Sequence, residues 1–86
     1  MNKALHYNLI FKPEPKGGFT VIVPTLPGCV TYGKSLKEAK EMAHDAILGY
    51  LQSLKKHGET IPSDSDSFVA TVNIEKQSLG RNLVYA

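Results

Sequence analysis

Two stretches near the N-terminus alternate apolar and polar residues. Residues 5–11 are apolar at every second position, and Phe19, Val21 and Val23 repeat the pattern. This period of two predicts strands that each bury one face. The intervening residues 12–18 contain two prolines and end in two glycines, so they predict the loop of an antiparallel hairpin.

A proline-rich turn follows the second strand. Pro24 ends that strand, because a proline within it would remove a ladder hydrogen bond. Pro27 followed by Gly28 has the chemistry of a type II turn, in which proline fixes one φ and glycine takes a positive one. Residues 29–32 predict a third short strand, and Gly33 allows the backbone to change direction.

From Ser35 onward the apolar period changes to three or four residues, which predicts a helix over residues 36–57. Ser35 and Glu38 fit a capping box, in which each side chain bonds the backbone N–H of the other. Gly58, after three basic or imidazole residues, predicts the helix end. The apolar arc of the helix contains Leu36, Ala39, Ala43, Ala46, Ile47, Tyr50, Leu51 and Leu54.

The C-terminal part predicts a loop and one more strand. Residues 59–67 form a run rich in Ser, Asp and Pro, typical of a solvated loop. Apolar residues then alternate over residues 68–74, which predicts a fourth strand. The predicted fold is therefore α+β, a small antiparallel sheet in the order β-β-β-α-β with one long helix on one face. The uncovered face would carry some of a mixed apolar and polar set that suggests a partner surface: His6, Asn8, Ile10, Thr20, Ile22, Val69 and Thr71.

Composition narrows the class of protein. A chain of 86 residues makes one domain with a modest core, which oligomerisation would naturally supplement. The net charge of +2, from 10 basic and 8 acidic residues, gives no basic stripe for nucleic acid. A single cysteine and the lack of a recognisable signal peptide or membrane span lead us to expect a cytoplasmic protein.

No group of residues has the spacing of a catalytic or metal site, so we expect no enzyme activity, metal or cofactor. The three histidines match no metal pattern, and His57 is explained by the helix dipole. His44 and Asp45 are adjacent on the helix and should diverge by about 100°. Cys29 invites a nucleophile hypothesis, but its place after a turn favours a small, partly buried core residue.

The run from GGF through LPGC and the Gly-Ser step to EAK and GYL resembles HicB-family antitoxins, over about residues 5–74. The resemblance implies a partial RNase H-like fold and the binding and neutralisation of a HicA toxin, a small ribonuclease that cleaves mRNA. The residues that carry it are Gly18, Leu26, Pro27, Gly28, Cys29, Gly33, Ser35, Glu38, Ala39, Ala43 and Tyr50.

Many members of that family add a C-terminal DNA-binding module. Only twelve residues follow Ile74 here, so we expect one HicB-like domain at residues 1–76, a short tail at residues 77–86 and no direct DNA binding. RNase H chemistry needs clustered carboxylates for two metal ions, and the first strand offers none. We therefore predict no nuclease activity.

The leading hypothesis is an antitoxin that masks a HicA-like ribonuclease. Its predicted contact residues are those on the outward face of the helix: Glu41, Asp45, Leu48 and Gln52. The alternative is a homo-oligomeric binding or structural module, a dimer or larger, with no toxin partner. Under either hypothesis we expect structural roles for six residues: Gly18, Pro27, Gly28, Gly33, Ser35 and Glu38.

Overall fold

The computed structural model describes residues 4–80, which form an α+β fold as predicted. Three antiparallel strands lie in the order β1-β2-β3, followed by one long helix, α1, and a single 3₁₀ turn. The elements are β1 (Ile10–Pro13), β2 (Phe19–Ile22), β3 (Val30–Gly33), α1 (Leu36–Lys56) and the 3₁₀ helix Lys76–Leu79.

The first strand is shorter at its start than the alternation predicts. It begins at Ile10, which pairs with Ile22 of β2. The chain turns one residue after the end of β2, where the Leu26 N–H donates to the Val23 carbonyl at 3.0 Å. Residues 5–9 therefore lie beyond the end of β2. At its other end β1 runs through Pro13, which the sequence assigned to the loop, because an edge strand tolerates a terminal proline.

Two clusters of apolar residues join the sheet to α1. One contains Val21, Ala39 and Ala43, and Phe11 and Phe19 pack against it. The rings of Phe11 and Phe19 meet edge to face, with centroids 6.4 Å apart. The other contains Val23, Leu26 and Cys29 and is covered by residues of α1 and by Tyr7 and Leu9. The predicted inward arc of the helix is correct except at Leu36. That first helical residue is 53% exposed, since it precedes the first core-facing residue, Ala39.

The turn predicted at Pro27 and Gly28 is confirmed. Gly28 has φ of 82°, and the Cys29 N–H donates to the Leu26 carbonyl at 2.9 Å, as a type II turn requires. The Tyr50 hydroxyl donates to the Pro27 carbonyl at 2.8 Å. This bond fastens the turn to the helix.

Gly33 lets β3 approach the helix at very short range. A Cβ at this position would lie 2.3 Å from the backbone nitrogen of Ala39 and 2.8 Å from the carbonyl carbon of Glu38. Gly18 is also confined, because a Cβ there would lie 2.1 Å from the Tyr32 hydroxyl and 2.7 Å from the Gly33 carbonyl oxygen. At both positions an added side chain would meet neighbouring atoms at less than 3 Å.

The N-terminus of α1 differs from the predicted capping box in one bond. The Ser35 hydroxyl accepts from the Glu38 N–H at 3.1 Å, as expected. The Glu38 carboxylate, however, accepts from the N–H of Lys34 at 2.6 Å rather than from Ser35. The Glu38 side chain therefore bonds the residue before Ser35. The two bonds together hold the first turn of α1 to the segment that precedes it.

The C-terminus of α1 forms a Schellman motif. Gly58 has φ of 68°, its N–H donates to the Lys55 carbonyl at 3.1 Å, and the Glu59 N–H donates to the Leu54 carbonyl at 2.9 Å. The helix therefore ends at Lys56, with His57 as its cap. Across residues 4–80, no helix is long and apolar enough to cross a membrane.

The predicted fourth strand is wrong for the described chain. Residues 68–74 pair with no strand among residues 4–80, and Phe68 and Val72 are 88% and 81% exposed. The cause is a turn just before them, in which the Ser67 N–H donates to the Asp64 carbonyl at 2.9 Å and directs the chain away from the sheet. Of the predicted tail, residues 81–86 lie outside the described residues.

Candidate functional site

The four predicted contact residues lie along one exposed stripe of α1. Their spacing of four, three and four residues places Glu41, Asp45, Leu48 and Gln52 on neighbouring helical turns. All four are exposed, and Leu48 retains 46% of its accessible surface. A shallow depression of about 390 Å³ is lined by Lys40, Glu41, His44 and Asp45.

His44 and Asp45 approach each other more closely than adjacent helical positions predict. His44 Nδ1 lies 3.6 Å from Asp45 Oδ1, and the two side chains are 72% and 78% exposed. This distance is too long for a hydrogen bond, and solvent weakens an ion pair at such a site. The Asp45 carboxylate therefore stays accessible to a partner.

An apolar groove runs beside the stripe, between residues 5–9 and α1. Its volume is about 510 Å³, and it is lined by Leu5, Tyr7, Leu9, Lys40, His44, Ile47, Leu48 and Leu51. Most of these side chains are apolar, so the groove suits an apolar surface better than a charged metabolite. Leu48 belongs to both the stripe and the groove. The sequence indicated this groove only indirectly, through a leucine outside the buried arc of the helix.

A buried carboxylate fixes residues 5–9 in place. Asp64 is only 6% exposed; its side chain accepts from the Thr25 hydroxyl and, at 2.8 Å, from the Asn8 N–H. Its own N–H donates to the His6 carbonyl at 2.7 Å. The Thr25 and Asn8 bonds, aided by the charge of His6, lower the pKa of Asp64 despite its burial. The sequence assigned Asp64 to a solvated loop, and that was wrong because its partners lie far away in the chain.

Tyr7 joins the same junction from the groove side. Its hydroxyl donates to the Pro62 carbonyl at 2.5 Å. Burial and the nearby charge of Asp64 both raise the pKa of Tyr7, so the phenol stays neutral and can donate this bond. The wall of the groove is consequently fixed to residues 62–64.

The remaining reactive side chains have structural surroundings. Cys29 is buried in the core, as predicted, and this burial raises the pKa of its thiol, the opposite of what activates a nucleophile. His57 Nδ1 lies 2.7 Å from the Ser53 carbonyl at the helix end. Within residues 4–80, no group of three or more His, Cys, Asp or Glu side chains could hold a metal ion.

Comparison with known families gives a match over residues 7–80, which contain the sheet, α1 and the groove. The matching family is described as the HicB_like antitoxin of bacterial toxin-antitoxin systems. The matched range thus includes nearly all of the described fold.

Individual relatives agree with this match. The UPF0150 protein Ta0767 of Thermoplasma acidophilum is 46% identical over 61 residues, which cover 71% of this chain and 88% of the relative. Antitoxin HicB of Escherichia coli (strain K12) is 33% identical over 61 residues, or 71% of this chain and 44% of the relative. A UPF0150 protein of Archaeoglobus fulgidus is 38% identical over 55 residues, with coverages of 64% and 78%. The chain thus matches less than half of the length of the Escherichia coli antitoxin.

Proposed function

Because the chain belongs to the HicB-like antitoxin family of bacterial toxin–antitoxin systems, we propose that it binds and masks a HicA-like ribonuclease toxin. The observation that supports this most is the family match over residues 7–80, together with relatives that are named antitoxin HicB. The protein would act without catalysis, by covering the toxin surface that binds mRNA. Such a complex would form in the cytoplasm, where mRNA is cleaved.

The exposed stripe of α1 is the proposed contact with the toxin. A protein that cleaves RNA must present cationic side chains to the phosphates. Glu41 and Asp45 supply accessible negative charge for such a surface, and complementary charge speeds association and orients the partners. Leu48 would add apolar contact, and Gln52 would add hydrogen bonds, next to these charges.

The helix suits steric masking because of its length and its fixed ends. Its 21 residues span about 31 Å, which is about the diameter of a small domain. Both ends are held by side-chain or backbone bonds, at Ser35 and at Gly58. The stripe is therefore presented on a rigid element rather than on a loop.

Co-expression with the toxin tests this proposal. The open reading frame next to the gene should encode a small protein that arrests growth when expressed alone, and this chain should restore growth. The double variant Glu41→Lys, Asp45→Lys should lose the rescue because it opposes a cationic surface with like charge. The double variant Glu59→Lys, Asp66→Lys makes the same charge change at two exposed sites beyond the helix and serves as the control. Equal rescue by both variants would remove the stripe from the interface, and no rescue by the unaltered chain would contradict the antitoxin role.

A second candidate function rests on the uncovered face of the sheet. Ile10, Ile22 and Val30 are aligned across the three strands, and Ile10 and Val30 are 45% and 56% exposed. An apolar row of this kind favours self-association of a binding or structural module without a toxin. This alternative gains support if the neighbouring gene product is harmless to growth and does not bind the chain.

A further inference from the structure

β3 forms one edge of the sheet, and its outward backbone groups have no partner in the described part of the chain. The order β1-β2-β3 leaves one side of β3 without a neighbouring strand. The Val23 N–H donates to the Cys29 carbonyl, and hydrogen-bonded pairs alternate along an antiparallel ladder, so Thr31 is the next residue that bonds to β2. Val30 and Tyr32 therefore direct their N–H and C=O groups away from β2, where no described residue bonds them.

The two edges of the sheet differ in how well they resist pairing with another chain. β1 carries Lys12 and ends in Pro13, and a charge or a proline on an edge strand hinders such pairing. β3 has the sequence Val-Thr-Tyr-Gly, with no charge and no proline. Its side chains on the uncovered face, Val30 and Tyr32, are 56% and 46% exposed. β3 is therefore the edge to which a further strand can be added.

The sequence of β3 is complementary to itself in the antiparallel direction. With a two-fold axis at Thr31, Val30 lies opposite the partner's Tyr32, and each such pair can exchange two N–H···O=C bonds. A β-branched residue opposite an aromatic one is a favourable cross-strand pair, and so is a threonine opposite a threonine. The Tyr32 ring is already held in place, because its hydroxyl donates to the Gly17 carbonyl at 2.9 Å. A second copy of this chain therefore fits the edge.

The flank of α1 on the β3 side has small side chains, which let two helices lie side by side. α1 packs on β3 and β2, so pairing along β3 brings the two helices close together and antiparallel. Opposite the groove on the helical wheel, this flank consists of Met42, Ala46, Gly49 and Ser53. Small side chains permit helix axes about 8 Å apart. Within one chain Gly49 has no steric reason to be glycine, since a Cβ there meets no atom within 4 Å.

The charges at the two ends of this flank also favour a second copy. Glu38 lies in the first turn of α1 and Lys56 in the last, each one helical spacing beyond the small residues. Antiparallel helices bring the Glu38 end of one flank towards the Lys56 end of the other, so opposite charges approach at both ends of the contact. At the axis itself β3 has no charge that would repel its copy.

We propose that two copies of this chain pair along β3, antiparallel about a two-fold axis at Thr31, so that two three-stranded sheets become one continuous sheet. Such an interface uses the same surface on both copies and is closed, because neither β3 edge remains free after pairing. Both helices then lie on the same face of the joined sheet. The exposed stripe of α1 lies between this flank and the groove, on the solvent side of the helix, so the pairing does not depend on toxin binding.

Val30→Pro tests the pairing in the full chain, without toxin. The proline removes an N–H that points away from β2, so the domain should keep its fold while the edge loses its ability to pair. Light scattering coupled to gel filtration should give twice the 9.4 kDa of one chain for the unaltered protein, and half of that doubled mass for Val30→Pro. Unchanged helical circular dichroism in Val30→Pro would show that the domain is intact.

Ile10→Lys is the matched control for the location of the contact. Ile10 lies in the same row of the uncovered face as Val30 and is 45% exposed, but it belongs to β1, at the far edge of the sheet. Ile10→Lys should therefore keep the doubled mass. If the copies instead associated face to face through this apolar row, a lysine at Ile10 would break the dimer.

Amide hydrogen exchange followed by NMR locates the contact without any substitution. In the unaltered chain the N–H groups of Val30 and Tyr32 should be protected from exchange, and dilution that dissociates the dimer should remove this protection. A monomeric unaltered chain, a doubled mass in Val30→Pro, a monomeric Ile10→Lys protein or unprotected Val30 and Tyr32 amides would each overturn the proposal. These outcomes are separate from toxin neutralisation, which Val30→Pro should retain.

Discussion

Replacing Gly33 by alanine should destabilise the fold, because the added methyl group would clash with the backbone of α1. The new Cβ would lie 2.3 Å from the nitrogen and 2.4 Å from the Cα of Ala39, and 2.8 Å from the Glu38 carbonyl carbon. Ordinary contacts between such atoms are about 3.5 Å or more. All three atoms belong to the helix backbone, so no side-chain rotation relieves the clash. β3 and α1 would have to separate by about 1 Å.

The cost follows from what that separation disturbs. Ala39 and Val21 have no exposed surface and belong to the same core cluster, so moving α1 loosens packing across the sheet. Inserting a methyl group into a well-packed core costs about 1–3 kcal/mol. For a domain of this size each kcal/mol lowers the melting temperature by about 4–8 °C. We therefore expect Gly33→Ala to melt at least several degrees lower.

Gly49→Ala is the matched control, with the opposite sign. Gly49 lies within α1, is exposed, and a Cβ there meets no atom within 4 Å. Alanine should stabilise the helix by up to about 1 kcal/mol, because glycine is the poorer helix former. Denaturation of both variants, followed by circular dichroism at equal protein concentration, gives the two free energies of unfolding. The explanation fails if Gly33→Ala unfolds with the stability of the unaltered chain.

Three further predictions concern single groups. Ser35→Ala should lower the free energy of unfolding by about 1 kcal/mol in the same assay, because the Glu38 N–H loses its cap; no change would show that the cap is dispensable. The pKa of Asp64 is lower in the folded chain than its unfolded value of about 3.9, so its stabilising contribution is present above that value and is lost as the pH falls through the folded pKa. Acid titration of unfolding should show this loss below about pH 4, and Asp64→Asn should flatten it. The buried Cys29 thiol, whose pKa is raised, should react with a thiol reagent at pH 8 far more slowly than in denatured protein, and equal rates would contradict its burial.

The sequence predicts the central part of the fold because local rules govern it. The capping serine, the terminal glycine and the three-to-four residue period set α1 at Leu36–Lys56, within one residue of the expected end. Pro27 and Gly28 set the turn, since their backbone preferences leave few alternatives. These signals lie within a few residues of the structure that they determine.

The errors have a common physical origin in contacts between distant residues. The alternation at residues 68–74 predicts a strand from the local pattern alone, but pairing depends on a partner edge and on the turn between Asp64 and Ser67. Asp64 itself appeared solvated because Thr25 and Asn8, its partners, lie 39 and 56 residues away. Helical spacing alone predicts the outward stripe of α1. The groove beside it could not be predicted in this way, because it depends on where residues 5–9 lie relative to the helix.

Inhibition of RNA cleavage by purified proteins tests most directly whether this chain neutralises a ribonuclease by binding it. The product of the neighbouring gene is incubated with a fluorescent RNA and increasing amounts of this chain. We predict stoichiometric loss of cleavage with the unaltered chain and with the double variant Glu59→Lys, Asp66→Lys, and weaker inhibition with the double variant Glu41→Lys, Asp45→Lys. Undiminished cleavage at a large excess of the unaltered chain would contradict the proposed antitoxin role.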